Sequence, residues 1–445
     1  MTDAPQGRMD TMRHRPFVLA ALALLVPGPA AAASPELSDD AAKAIFDQAN
    51  ALCRKDNGDL WGASLCGPMM LVDRATRRVV ASQADPHGLL RARGEVFVGQ
   101  LPSDAIIANT AVDWSGMRWT QLLWPLPEND ARRSTLLAHE MFHRVQPTLS
   151  IAPPAEGGNE HLDTLEGRYW LQMEWRALAA ALAVPDTGAQ RSAAIDALTF
   201  RAERHRRFPA AAMEEAALEL NEGLAEYTGV FVGNAGPAAR IEAALHDLRA
   251  HVDDPSFVRS FAYATCPAYG LMLDQVLPGW RRDLASHPKG LGSLLAEAVH
   301  TDPSLDARAL RAAVARYGGE ALRDTEVLRE QQRLAQLEHN RARFVTGPVL
   351  RLELRDMRIQ FDPNSVQPLP GSGMVYPTMQ LTDVWGSLNV TDGALLQSDW
   401  KAVFVQAPAS TEPPLQGPGW SLNLKPDWSL VPGTRNGDYM LKANP

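Results

Sequence analysis

The sequence lacks an excess of positive charge, and it contains no long run of Lys or Arg. Its 445 residues carry a formal net charge of -9 at pH 7. A protein that binds DNA, RNA or an anionic membrane surface usually presents a basic face, so we expect no nucleic-acid partner. The content of 45% hydrophobic and 21% charged residues also excludes a disordered, collagen-like or coiled-coil chain. We therefore expect a globular protein.

Cysteine is scarce as well, with three residues and no CxxC pattern. The sequence therefore offers no thiolate zinc site and no thioredoxin-type redox site. Cys53 and Cys66 are close in sequence, whereas Cys266 is remote, so the first two could form a disulfide in an oxidising compartment. The alternative is three free, buried thiols.

Several common catalytic motifs are missing. The sequence has no GxSxG segment, no Walker A loop and no glycine-rich Rossmann fingerprint after a predicted strand. A serine hydrolase of the GxSxG type and a nucleotide-dependent enzyme therefore have no support.

The N-terminus lacks an apolar run long enough to span a bilayer. Two arginines precede a short apolar run over residues 17–26, and the small residues Ala31 and Ala33 follow it. This order is typical of a secretory signal peptide. We predict a signal peptide over residues 1–33, cleavage after Ala33, and export to the periplasm or out of the cell without a stable membrane anchor.

The rest of the sequence changes its hydrophobic periodicity twice. Residues 66–125 alternate with a period of two, residues 130–344 have mainly helical periodicity, and residues 346–445 alternate again. We therefore predict an α+β fold, with a small antiparallel or mixed sheet, a mainly helical core and a C-terminal antiparallel β domain. The sheet and the helical core are predicted to form one domain over residues 34–345.

The segment HEMFH carries the clearest chemical signal. His139 and His143 are four residues apart on a predicted helix, so both imidazoles project from one face and could bind one metal ion. Glu140 lies about 100° around the helix from His139, where it could reach a water molecule beside that ion. The pattern is that of an HExxH zinc hydrolase, which needs a third ligand.

The third ligand has to come from another segment. A metzincin would have Gly and His three and six residues after the second histidine, but this sequence has Gln146 and Leu149 there. Further along, a predicted helix contains LNEGLAEY over residues 220–227. Together with HEMFH, this segment resembles the gluzincin clan of thermolysin-like proteases and zinc aminopeptidases. In that clan an Asn-Glu-Gly segment on a second helix supplies a zinc-binding carboxylate.

The resemblance implies one Zn²⁺ ion held by His139, His143 and Glu222. It also implies that Glu226, one turn later, contacts a ligand histidine and fixes its tautomer. Glu219 and Glu226 stay alternatives for the third ligand, because an acidic helix face has a similar pattern. The two ligand segments lie farther apart than in the aminopeptidases, so we expect helices inserted between them.

Gluzincins stabilise the oxyanion with a Tyr or His that follows the third ligand. This sequence offers Tyr263 and Tyr269 in the segment SFAYATCPAYG. Either one could instead be a core tyrosine with a satisfied hydroxyl. Pro267 is suited to the first turn of the helix that follows.

A strand predicted over residues 117–124 precedes the HEMFH segment, as the edge strand does in gluzincins. An extended substrate could pair with such a strand through its backbone. The alternative is a core strand.

Together with the predicted signal peptide, the resemblance implies an exported zinc metallopeptidase that acts on a peptide or protein substrate. The resemblance implies that Glu140 is the general base for a zinc-activated water. The alternative is a non-catalytic binding or scaffold protein on a peptidase-like fold, with a retained structural zinc site. Glu140 argues against this alternative, because a structural site needs no base.

Overall fold

The computed structural model describes residues 35–102, 105, 107–151, 157–284, 290–301, 306–361 and 365–444. The predicted signal peptide lies outside these residues. No helix in the described ranges is both long and apolar enough to cross a membrane. The predicted α+β class is confirmed, with a first sheet, a long helical region and a C-terminal set of strands in that order.

Helix α1 (Asp39–Asp56) begins at Ser38, whose hydroxyl accepts a hydrogen bond from the first turn. Near the end of this helix, Cys53 forms a disulfide with Cys66, which lies just before the first strand. The predicted pairing is therefore confirmed, and Cys266 is a free, buried thiol. The bond ties α1 to the beginning of the first sheet and is compatible with export.

The first sheet has six strands in the order β3-β4-β2-β1-β6-β5. Its strands are β1 (Met69–Asp73), β2 (Arg78–Ala81), β3 (Arg91–Arg93), β4 (Val96–Gln100), β5 (Thr110–Trp114) and β6 (Met117–Trp124). β1 and β6 are parallel and the other pairs are antiparallel, so the sheet is mixed. The parallel pair is possible because a long connection, which contains the other strands, returns the chain in the same direction.

The predicted helical region is also confirmed. Its helices are α2 (Asp130–Val145), α3 (Leu165–Ala183), α4 (Thr187–Arg207), α5 (Ala211–Leu218), α6 (Leu224–Gly233), α7 (Gly236–Ala250), α8 (Phe257–Val276), α9 (Trp280–Asp283), α10 (Leu291–Ala298), α11 (Ala307–Arg316) and α12 (Gly319–Arg341). The largest hydrophobic cluster of the described chain joins these helices to α1 and to one face of the first sheet.

Helix α8 begins at Phe257, so the prediction that Pro267 occupies its first turn is wrong. A proline inside a helix removes one backbone hydrogen bond and costs about 3 kcal/mol. Pro267 and most side chains in the middle of α8 are buried. The burial of this apolar surface against neighbouring helices offsets the local cost of the proline. That burial is not visible in the sequence around Pro267, which is why the helix start was misplaced.

Helices α2 and α6 carry or adjoin the two predicted ligand segments, and they pack closely. Gly229 and Gly233 on α6 face the backbone of α2, and a Cβ atom at these positions would lie 2.7 and 2.6 Å from Thr135. At Gly223, just before α6, a Cβ atom would lie 2.2 Å from the Sγ atom of Cys266 on α8. The three glycines therefore allow α2, α6 and α8 to meet near one point.

The described residues between 349 and 443 form two further sheets, which we call the C-terminal β region. The strand orders are β17-β18-β7-β14-β13-β10-β9 and β15-β16-β12-β11-β8. The strands are β7 (Val349–Glu353), β8 (Arg358–Phe361), β9 (Gln367–Leu369), β10 (Gly373–Tyr376), β11 (Met379–Asp383), β12 (Gly386–Val390), β13 (Ala394–Gln397), β14 (Ala402–Gln406), β15 (Leu415–Gly417), β16 (Trp420–Leu424), β17 (Trp428–Pro432) and β18 (Tyr439–Ala443). The expectation of purely antiparallel pairing is wrong for β7 and β18, which are parallel. A long connection separates these two strands, so no hairpin turn imposes their direction.

Candidate metal centre

The two histidines of HEMFH lie on one face of α2, as their spacing predicts. The helix begins after Asn129, whose side chain accepts a hydrogen bond from the backbone N–H of Arg132. The Nε2 atoms of His139 and His143 are 3.1 Å apart. Both side chains are mostly shielded from solvent, so they present two nitrogen atoms to one sheltered point.

Glu222 lies on a π-helical turn, Glu219–Gly223, between α5 and α6. The sequence predicted one continuous helix here, because a π turn inserts an extra residue without a distinct residue pattern. The Oε2 atom of Glu222 is 3.7 Å from Nε2 of His139 and 3.5 Å from Nε2 of His143. The turn thus directs the carboxylate of Glu222 towards the histidine pair.

The three candidate ligand atoms have separations close to those expected around one zinc ion. Around a tetrahedral zinc ion with ligand distances of 2.0 to 2.2 Å, ligand atoms lie about 3.3 to 3.6 Å apart. The observed separations of 3.1, 3.5 and 3.7 Å differ from this range only slightly. Two imidazoles and one carboxylate are also the donor set of zinc sites that keep a fourth position open. Within the described ranges, His139, His143 and Glu222 are the only three His, Cys, Asp or Glu side chains close enough to share an ion.

The two histidines are oriented by contacts at their other ring nitrogens. The Oε2 atom of Glu226 is 2.7 Å from Nδ1 of His139, which is the contact that the family resemblance implies. The Oε1 atom of Gln146 is 3.0 Å from Nδ1 of His143. The side-chain Nε2 of Gln146 donates a hydrogen bond to the carbonyl of Leu220 at 2.9 Å. These contacts direct the Nε2 atoms towards the shared point. This role of Gln146 was not predicted, and its position three residues after His143 is the only signal of it in the sequence.

Glu140 is buried beside the histidine pair. Its Oε2 atom has no hydrogen-bond partner in the part of the chain that the structure describes. Burial raises the pKa of this carboxyl group, although His139 and His143 act to lower it. An unpaired buried polar atom costs about 1 to 3 kcal/mol, so a polar group that enters the site would find a strong acceptor here.

Tyr263 on α8 belongs to the same cluster, by which we mean His139, Glu140, His143, Glu222 and the side chains in contact with them. Its ring stacks on the imidazole of His139, with centroids 5.6 Å apart and planes 7° apart. Its hydroxyl donates a hydrogen bond to Oε2 of Glu222 at 2.5 Å. Arg259, one turn earlier, donates to Oε1 of the same carboxylate at 3.1 Å. Sequence analysis missed Arg259, because nothing in its local pattern distinguishes it from an ordinary surface arginine.

The structure does not bring Tyr269 to this cluster, which corrects the prediction that included it. It follows Tyr263 by six residues on the same helix, so the two side chains point about 120° apart around α8. The hydroxyl of Tyr269 donates to Oε1 of the buried Glu174 at 2.7 Å. Glu219, an alternative third ligand, is also directed away, since its Oε1 atom lies 2.7 Å from Nη1 of Arg201.

Strand β6 is not at the edge of the first sheet, so of the two alternatives for residues 117–124 the core strand is confirmed and the edge strand is wrong. β6 is paired with β1 on one side and with β5 on the other, and its Trp119 is fully buried. The edge strand near the cluster is β5. Thr110 and Ala111 of β5 line a cavity of about 310 Å³ together with His143.

Comparisons of this chain with family models, with curated proteins and with solved structures gave no match. A function can therefore be inferred only from the geometry of these side chains and from the resemblance in two short segments.

Proposed function

We propose that the protein is an exported zinc metallopeptidase of the gluzincin type. One observation carries the proposal: ligand atoms from two distant segments converge beside the buried carboxylate of Glu140, whose Oε2 atom has no partner among the described residues. A site that held a metal ion only for structural reasons would gain nothing from such a carboxylate. The arrangement therefore favours hydrolysis over a non-catalytic binding or scaffold function.

His139, His143 and Glu222 would hold the metal in this proposal. A bound zinc ion supplies Lewis acidity, which polarises a substrate carbonyl and lowers the pKa of a water molecule. Glu140 accepts a proton from the attacking water and passes it to the leaving amine. Tyr263 donates its one hydroxyl proton to Glu222 in this structure, and in the proposed reaction it would redirect that hydrogen bond to the carbonyl oxygen as negative charge develops there.

The edge of the first sheet supports a polypeptide as the substrate. β5 is the last strand of the sheet as described, and its Thr110 and Ala111 share a cavity with His143. An extended peptide can add a strand to such an edge through backbone hydrogen bonds. This pairing would place the peptide backbone beside the metal ligands.

Export is part of the same proposal. The Cys53–Cys66 disulfide is stable in an oxidising compartment, and the predicted signal peptide over residues 1–33 would direct the chain there. The proposed location is the periplasm or the medium outside the cell.

Peptide cleavage measured together with zinc content tests the proposed function. We expect the zinc-loaded protein to cleave members of a random peptide library, identified by mass spectrometry. Removal of the metal by a chelator should abolish cleavage, and added zinc should restore it. Elemental analysis at each step should find one zinc per active chain. A fully loaded protein that cleaves no peptide would contradict the peptidase and favour the binding alternative.

Replacement of Tyr263 by Phe is expected to lower kcat about a hundredfold while zinc stays bound, the usual effect of losing one oxyanion donor. Tyr269→Phe is the matched control, because it removes the same hydroxyl from the same helix away from the cluster. We expect this control to keep its kcat and to lose thermal stability, since Glu174 loses a buried donor. Kinetics, zinc analysis and thermal unfolding of both variants check this. Wild-type kcat in Tyr263→Phe would refute the role.

Replacement of Glu226 by Gln is expected to weaken zinc binding about 10- to 100-fold. The negative charge of Glu226 orients His139 and raises the basicity of its ring, and the substitution removes this charge. Competition with a chromogenic chelator measures the zinc affinity. Glu242→Gln, at an exposed position on α7, is the control and should bind zinc like the wild type. Equal affinities of the two variants would show that Glu226 does not support the metal site.

A further inference from the structure

A second cavity lies between α8 and the C-terminal β region, next to the cluster of candidate metal ligands. Its volume is about 500 Å³, within the usual range of ligand pockets. Tyr263 and Arg259 line it on the helical side, and both donate hydrogen bonds to Glu222. The cavity therefore adjoins the proposed catalytic site through Tyr263 and Arg259.

The opposite wall of this cavity is apolar, and it comes entirely from the C-terminal β region. We call it the apolar wall, and its side chains are Phe361, Val366, Pro368, Met374 and Tyr376. Phe361 packs edge-to-face on Tyr376, with ring centroids 4.8 Å apart, yet 38% of its surface is exposed. An exposed aromatic ring in a concave site is stabilised when another apolar group covers it.

Contacts with the end of α12 hold the apolar wall in place. Phe344, just after this helix, is buried in a cluster with Leu369 and Val375 of the seven-stranded sheet. Pro368 and Met374 face each other across the neighbouring strands β9 and β10. The wall is therefore formed before a ligand binds, which lowers the cost of ordering the site on binding.

The helical side of the cavity is mainly polar, although Pro255 and Val258 also line it. Glu160, Asp254 and Arg259 line it, and the side chain of Arg259 is 41% exposed. These groups can pair with the amides and carbonyls of a peptide backbone. A charged side chain placed against the apolar wall would lose its hydration without gaining a partner. The two sides thus suit a polypeptide whose apolar side chain faces the β region.

We propose that the C-terminal β region forms one wall of the substrate cleft and selects polypeptides with a large apolar side chain, such as Phe or Leu, close to the cleaved bond. This inference rests on the proposed peptidase function. The substrate backbone passes Tyr263 and Arg259, and its apolar side chain covers Phe361 and contacts Met374.

Cleavage profiles of Phe361→Ala and Met374→Ala test this inference. A peptide that the wild type cleaves is prepared in two series, with Phe or Ala at each position on either side of the cleaved bond. We expect both variants to lower kcat/KM about tenfold for the preferred Phe peptide and less than about twofold for the Ala peptides, because apolar pocket contacts discriminate about 10- to 200-fold. Leu89→Ala, which shortens a side chain that is 58% exposed before the first sheet's β3, should keep the wild-type profile.

Peptide binding separates this inference from the proposed function. The probe is a fluorescein-labelled octapeptide of Ala and Ser with two central Phe residues, and its counterpart has Ala in their place. We expect the zinc-loaded Glu140→Gln protein to bind the Phe probe, and the added Phe361→Ala change to raise its Kd about tenfold. The same result in a protein that cleaves no peptide would support the apolar wall while the peptidase proposal fails. Two outcomes overturn the inference. In the first, the protein cleaves peptides and both wall variants keep the wild-type cleavage profile and Kd. In the second, the wall variants weaken binding of the Phe probe and of the Ala probe equally.

Discussion

Replacement of Glu140 by Gln is expected to remove nearly all peptide cleavage while the protein keeps its zinc and its thermal stability. Gln has almost the same shape and helix propensity as Glu, but it cannot accept the proton. Because the carboxylate serves both the attacking water and the leaving amine, we expect kcat to fall about a thousandfold or more. The metal should remain, since all three proposed ligand atoms belong to other residues.

The measurement pairs elemental zinc analysis with cleavage of the same peptide by wild type and variant. Glu128→Gln is the matched control, because it makes the same chemical change at an exposed position just before α2. The control should keep both zinc and activity. Thermal stability of Glu140→Gln should be at least that of the wild type, since the buried Oε2 atom of Glu140 lacks a partner among the described residues. Wild-type cleavage by Glu140→Gln would end the proposed mechanism.

Replacement of Glu222 by Gln is expected to lower zinc affinity more than about 100-fold. This loss exceeds the loss of about 10- to 100-fold expected for Glu226→Gln, because Glu222 is a proposed direct ligand and Glu226 only supports a ligand. A neutral amide is a poor zinc ligand, and it also leaves Arg259 without the carboxylate that it contacts at 3.1 Å. The dialysed variant should therefore contain well under one zinc per chain and cleave no peptide. Elemental analysis and competition with a chelator measure both effects.

Glu219→Gln is the matched control for the proposal that Glu222 is the third ligand. Glu219 lies on the same π turn as Glu222, but its carboxylate contacts Arg201 instead of the histidines. We expect Glu219→Gln to keep the zinc affinity of the wild type. If Glu219→Gln lost its zinc and Glu222→Gln kept it, the third ligand would be Glu219, and the geometry described above would not be that of the metal-bound protein.

Local periodicity was sufficient for the parts of the site that lie close together in sequence. His139, Glu140 and His143 fall within five consecutive residues, so helix geometry alone predicts that both imidazoles share a face. The same reasoning predicted the order of sheet, helices and strands, because periods of two and 3.6 residues are visible in short windows. The choice of Glu222 came from the resemblance in LNEGLAEY, which carries information that periodicity does not.

Strand neighbours and backbone irregularities were not predictable in this way. β6 has the apolar character expected of either a core or an edge strand, and only its pairing with both β1 and β5 separates the two. Pro267 looks like a helix start, yet burial keeps it inside α8. The π turn Glu219–Gly223 has no sequence signature of its own. Each of these features depends on contacts with segments far away in the chain.

By itself, the sequence determined the order of the elements and the helix faces that carry the proposed ligands, because residues a few positions apart have their relative geometry set by the local backbone. Only the tertiary structure decided between Tyr263 and Tyr269, which are the same residue type on one helix. Gly223 allows a close approach to Cys266 on α8, and in this packing Tyr263 contacts Glu222 whereas Tyr269 contacts Glu174. Such a choice depends on packing between segments that are distant in sequence, and no local pattern records it.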